Sequence, residues 1–211
     1  MMGKIYLGCS PSIMDGTEQK YQPSKNLPLP VEYSFQSQMS PVLNQGSTNM
    51  CVTYALGSHI DWNINMDKKT KCKDNNVDRN AIYSIRTTKG DNGMTFKEAL
   101  SFVKNKGVKT DVGVVKINHY AVVGSEIALK HALIANGPCL AGLRCYNSLN
   151  EFWNKRYSDT LLGGHAVCIV GYNKDGFILR NSWGKNWGKE GYTLLKYKDF
   201  SNFFEIWTII D

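Results

Sequence analysis

The feature that most constrains this chain is a change of hydrophobic period at Pro138. Before it, apolar residues recur at helical spacing. Val52, Ala55, Leu56 and Ile60 share one face behind Cys51, and Phe96, Ala99, Leu100 and Val103 share another over 95–106, stopped by Gly107. The pattern also predicts helices over 79–86 and 125–135, the latter ending at Asn-Gly-Pro. After Pro138 come short apolar runs, "CLAGLRCY", "AVCIVGY", "GFILRN" and "YTLLKY", separated by Gly, Asn and Asp, which read as strands. Helices first and strands later imply an α+β chain of two lobes, with the cleft between them as the place for a site. The expected organisation is an irregular extension over 1–30, a mainly helical lobe over 31–120 and a mainly β lobe over 121–211. The extension is rich in Ser, Pro and Gly, ends in "NLPLP", and is expected to lie on the surface.

Composition narrows the function classes. A chain of 211 residues can bury a full core, and 42% hydrophobic with 20% charged residues is ordinary for a soluble globular protein. No apolar run approaches a membrane span. The start, "MMGKIYLGCSPS", holds too short an apolar patch for a signal-peptide core, so an intracellular protein is expected, cytoplasmic or virion-associated if viral. The net charge of +7 is scattered, and its densest cluster, "DKKTKCKDNN", is interleaved with acids; it reads as a solvated face rather than a nucleic-acid surface. The six cysteines, Cys9, Cys51, Cys72, Cys139, Cys145 and Cys168, lack the density of a disulfide scaffold.

One of them is placed for chemistry. Cys51 opens a helix, where unpaired backbone N–H groups and the positive end of the helix dipole favour thiolate over thiol. A lone cysteine is more often a packing residue. What shifts the balance is "GGHAVCIVGY", which puts His165 at the head of an apolar strand behind two glycines. A nucleophilic thiolate needs such an imidazole to hold it and to protonate the leaving amine. "RNSWGKNWGKEGY" then supplies Asn181, an amide able to orient the ring.

With "PVLNQGS", "CVTYAL", "GGHAVCIVGYN" and "LRNSWGKNWGKEGY" in that order, the chain resembles the papain-like cysteine peptidases from about Leu27 to its end. The resemblance implies their two-lobe fold, with a helical lobe and a β-barrel-like lobe. It implies a thiol endopeptidase with Cys51 as nucleophile, His165 as its ion-pair partner and acid/base, Asn181 orienting His165, and Trp183 shielding that hydrogen bond. Gln45 would supply the oxyanion donor beside the Cys51 N–H. Gly93, Met94, Phe96, Gly142, Gly163, Gly164 and Ala166 would line the substrate cleft. The pocket for the second residue upstream of the cut, walled by Phe96, Gly142, Gly163 and Ala166, would be apolar, unless Glu205 reaches its floor and admits Arg. The partner is a peptide or protein substrate, with 1–30 available to cover the cleft.

The departures are specific. Thr48 and Asp91 stand where the family often has a disulfide, so that bridge is missing at both ends. Met50 and Val52 flank the nucleophile in place of a small residue and a tryptophan, and Met94 replaces a glycine. The Cys51-to-His165 spacing is below the roughly 130–150 residues of the cathepsin type. With no long inhibitory prodomain ahead of it, the chain resembles the compact branch of the family in bacteria, archaea and large DNA viruses. His59 lies two turns along the same helix, about 12 Å from Cys51, too far to pair with it; His119 and His131 have no partner motif. No cofactor is expected and no metal, because His165 and Cys168 point to opposite faces of a strand. Alternatives are an acyl transferase or isopeptidase on the same fold, or a catalytically silent binding homologue.

Overall fold

A computed structural model describes residues 6–24, 27–69, 72–88, 90 and 92–211. In chain order these form β1 (Tyr33–Ser34), α1 (Cys51–Asp67), α2 (Arg79–Ser84), α3 (Phe96–Asn105), β2 (Val108–Thr110), β3 (Gly113–Val115), β4 (His119–Val122) and α4 (Glu126–Asn136). Then come β5 (Cys139–Cys145), β6 (Gly163–Tyr172), β7 (Gly176–Arg180), β8 (Tyr192–Lys196) and β9 (Phe203–Ile210). The expected helices are present with trimmed ends. Thr95 closes a capping box with Glu98 at the start of α3, which satisfies two backbone donors that the helix leaves open.

The strands after Pro138 join β4 and β1 in a seven-stranded antiparallel sheet of order β4-β9-β5-β6-β7-β8, with β1 on β6. The sheet is open, with β4 and β8 at its ends, and is not the closed barrel-like lobe expected. Sequence reading also left β4 and β9 unassigned. "FFEIWTII" is a nearly unbroken apolar run, which periodicity cannot tell from a buried helix. It is unbroken because both faces of the sheet are covered.

Alternation along β6 shows this directly. Ala166, Cys168 and Val170 enter a core shared with α1 and α3, while Val167 and Ile169 enter a second core with α4, Phe152 and Trp153. Helix α1 is therefore wedged between the helical lobe and the sheet, and its first residue reaches the cleft. No helix among the described residues is long and apolar enough to cross a membrane.

A buried arginine locks this arrangement. Arg180 Nη1 donates to the Ser40 carbonyl (2.8 Å) and the Tyr192 hydroxyl (2.9 Å), Nη2 to the Pro41 carbonyl (2.7 Å), and Nε to Ser58 Oγ on α1 (3.2 Å). Arg180→Leu leaves buried acceptors unpaired, and we expect it to lower stability by about 3 kcal/mol. The denaturant midpoint reads this loss; an unchanged midpoint would show that the strut carries no weight.

Candidate active site

The site assembles where the start of α1 meets the start of β6 and the turn after β7. The residue before α1, Met50, offers no side-chain cap, so the first-turn N–H groups remain open. Cys51 Sγ takes N–H contacts from its own residue, Val52, Ala166 and Gly8. Ala166 follows His165, so β6 brings the imidazole's strand directly against the sulfur.

His165 is buried, and its Nε2 lies 2.7 Å from Asn181 Oδ1. That oxygen can only accept, so Nε2 carries the proton and Nδ1 is left as the free base. Nδ1 has no protein partner. Trp183 lies beside the ring, centroid to centroid 4.5 Å, and Phe152 meets it edge-on at 5.4 Å.

Gln45 lies on the turn before α1. Its Nε2 donates to the Thr48 carbonyl (2.7 Å) and the Tyr6 carbonyl (3.1 Å), and its Oε1 accepts from Ser182 Oγ (2.6 Å). The Gln45 N–H also donates to the Ser182 carbonyl (2.8 Å), and the Ser182 N–H to Asn181 Oδ1 (2.7 Å). Ser182 thus ties the Asn181 amide, which meets His165, to the Gln45 amide on the turn before α1. Sequence reasoning passed over it; its only signal is its place next to Asn181.

The other expected cleft residues are met by residues 7–10. Met94 N–H donates to the Gly8 carbonyl (2.9 Å), Ser10 N–H to the Met94 carbonyl (3.1 Å), and Cys9 N–H to the Gly164 carbonyl (3.1 Å). Gly93 (φ +80°) and Gly164 permit this approach, because a Cβ at either would stand about 2 Å from the carbonyl oxygen of Gly8 or Cys9. Leu7 lies against Gly163. Gly142 pairs with Ala166 on β6 and Glu205 on β9, and buried Phe96, Met94, Cys9 and Ala166 share one core. The expectation that the extension lies on the surface is corrected for Gly8, Cys9 and Ser12, which are buried against Met94, Gly164 and Lys97, while Ile13 to Thr17 are exposed.

Among the remaining histidines, His59 Nδ1 meets the Pro138 carbonyl (2.7 Å) away from the cleft. Thr48 Oγ1 donates to the Gln45 carbonyl (2.7 Å), and Asp91 is outside the described residues. No group of three or more His, Cys, Asp or Glu among the described residues could hold a metal ion.

Comparison with known proteins now bears on the site. The family model for papain family cysteine proteases matches residues 104–206, which include His165 and Asn181. Cysteine proteinase 3 of Entamoeba histolytica is 27% identical over 91% of this chain and 70% of its own length. The structure of xylellain, a cysteine protease from Xylella fastidiosa, matches with a TM-score of 0.84 at 25% identity, covering 99% of this chain and 98% of that one. Over residues 104–206 and in its fold the chain is similar to the papain-like cysteine peptidases. A further solved structure, a procathepsin B from Trypanosoma congolense, shares the fold with a TM-score of 0.79 at 15% identity, covering 98% of this chain and 87% of that one.

At the start of α1 burial alters the electrostatics expected of the cysteine. Four N–H contacts pull the Cys51 thiol toward ionisation, yet burial outweighs them and pushes it up to about 11. Burial also pulls the His165 imidazole down to about 4, against the opposing hydrogen bond to Asn181. Burial thus favours the protonated thiol at Cys51 and the neutral imidazole at His165. Burial therefore opposes the thiolate expected at Cys51.

Proposed function

We propose that the chain is an endopeptidase that cleaves extended peptides through Cys51, His165, Asn181 and Gln45, and that residues 6–12 hold it closed. The carrying observation is the backbone already lying in the cleft: the Tyr6 carbonyl takes the Gln45 amide while residues 8–10 pair with Met94 and Gly164. In the open enzyme a substrate takes their place.

Proton transfer from Cys51 to His165 Nδ1 gives thiolate and imidazolium. The sulfur attacks the scissile carbonyl carbon, and its π pair moves to oxygen. Gln45 Nε2 and the Cys51 N–H stabilise that oxyanion. As the C–N bond breaks, Nδ1 returns its proton to the leaving amine, and a thioester remains on Cys51. Water, deprotonated by His165, then attacks the thioester and releases the acid, restoring the thiol. Asn181 holds the tautomer throughout, with Trp183 covering its hydrogen bond. A reducing, intracellular setting suits this chemistry, since Cys51 and Cys9 are free thiols. The test is labelling with a peptidyl epoxide, followed by mass spectrometry of the modified residue, in a chain lacking residues 1–26. Modification anywhere but Cys51 defeats the proposal.

Glu205 favours one version of the specificity. It is buried opposite Gly142, with Oε2 accepting from Trp207 Nε1 (2.8 Å) while Oε1 lacks a partner at hydrogen-bond geometry. Burial holds its carboxyl above the usual range even with Ser12 alongside. A cationic side chain entering in place of residues 9–12 would satisfy that oxygen. Glu205→Gln should therefore cut kcat/KM about tenfold for a substrate with Arg at the second upstream position, and much less for Leu. Equal losses on both substrates would remove Glu205 from the pocket.

A further inference from the structure

Resting on the reading of the cleft as the catalytic site, one cluster outside it bears on how it opens. Residues 6–21 form a strap fastened in three physically different ways. The first is the backbone pairing of residues 8–10 with Met94 and Gly164, which substrate competes for. The second is at residues 19–21, where Val122 N–H donates to the Gln19 carbonyl (2.8 Å) and Tyr21 N–H to the Val122 carbonyl (2.9 Å). Strand β4 ends the sheet, so these residues add a short strand to an open edge and are untouched by substrate.

The third fastening lies between them. Lys97, on the first turn of α3, extends its ammonium to Glu18 Oε1 (2.6 Å), Asp15 Oδ2 (3.1 Å) and the Ile13 carbonyl (3.4 Å), and its backbone N–H donates to Ser12 Oγ (3.2 Å). The acids are preset by their own turn. Asp15 and Gly16 N–H groups donate to the two Glu18 oxygens, while the Thr17 N–H and hydroxyl donate to Asp15 Oδ1. Gly16 supplies the left-handed bend (φ +87°). A preset turn loses little entropy when it grips a cation, so this cluster is worth more than a chance surface pair, yet water still reaches it. Six residues separate Ser12 from Gln19, enough at about 3.3 Å each to swing the cleft part clear while the edge pairing holds.

We propose that Lys97 is the latch of a hinged strap: when its grip on Asp15 and Glu18 fails, residues 6–12 leave the cleft while residues 19–21 stay on β4, so that opening is reversible and no peptide bond is cut. The tether keeps the freed strap at high local concentration, so reclosure needs no second molecule.

The experiment follows epoxide labelling of Cys51 in the full chain. Lys97→Glu sets three like charges together yet keeps α3 favourable, since an acid suits the first turn of a helix. It should label about tenfold faster than the parent, and Lys97→Glu with Asp15→Lys and Glu18→Lys should return toward the parent rate. Raising salt to about 0.5 M should speed the parent but not Lys97→Glu, and dilution back should restore the slow rate with the full-length mass retained. A Lys97→Glu rate equal to the parent's, while the chain lacking residues 1–26 labels fast, overturns the latch and leaves the catalytic reading standing. Opening that tracks with loss of the N-terminal mass overturns the hinge. Failure of the shortened chain to label at Cys51 points instead to an error in the catalytic reading.

Discussion

In a chain lacking residues 1–26, Cys51→Ala should lower peptide turnover about ten-thousandfold or more while leaving the melting transition in place. The size follows from the chemistry: without sulfur there is no thioester, and the remaining oxyanion donors provide only a small residual rate. The same shortened chain before substitution should take substoichiometric iodoacetamide at Cys51 first, at mildly acidic pH. Burial in apolar surroundings pushes the thiols of Cys139, Cys145 and Cys168 upward. Cys72, which is only partly covered, is the informative control. If Cys72 reacts ahead of Cys51, the claim of a specially activated thiol fails.

Removal of residues 1–26 should itself raise the second-order labelling rate of Cys51 about a hundredfold or more. In the full chain Cys51 is 0% exposed, the Gln45 amide is engaged by Tyr6, and burial favours a protonated thiol and a neutral imidazole. The sign of the pH effect follows. With the thiol raised to about 11 and the imidazole lowered to about 4, the sulfur keeps its proton between those values, so labelling of the full chain should climb steadily with pH. Admitting water and pairing the ions reverses both shifts: the thiol falls and the imidazole rises, and thiolate–imidazolium becomes the ground state. The shortened chain should then show a plateau from about pH 5 to 8 in place of a climb. Matching pH profiles for the two chains, with the deletion variant folded, would falsify the idea that the strap controls ionisation.

The residues proposed for the chemistry stand out in the sequence because they lie in local patterns that physics ties to a role. A thiol at a helix start, a histidine behind two glycines on an apolar strand and an amide in a Gly-Trp turn can each be read within ten residues. Helices α1, α3 and α4 were legible for the same reason, since their apolar period and caps are local. Strand β9 was not, because its register between β4 and β5 depends on residues more than sixty positions away in sequence. Nor was Ser182, whose importance comes from meeting Gln45 across the molecule.

The sequence by itself determined the α+β division of the chain and nominated the residues proposed for the reaction. Only the tertiary structure decided what surrounds those residues. Residues 6–12 carry little periodicity, so nothing local marks them as buried. Their position follows from carbonyl and N–H groups that find partners on Met94, Gly164 and Gln45, and from a lysine on α3 that gathers two acids. Burial pushes a helix-start cysteine toward the thiol, because the free energy of a charge depends on all that surrounds it, while propensity depends on neighbours in the chain.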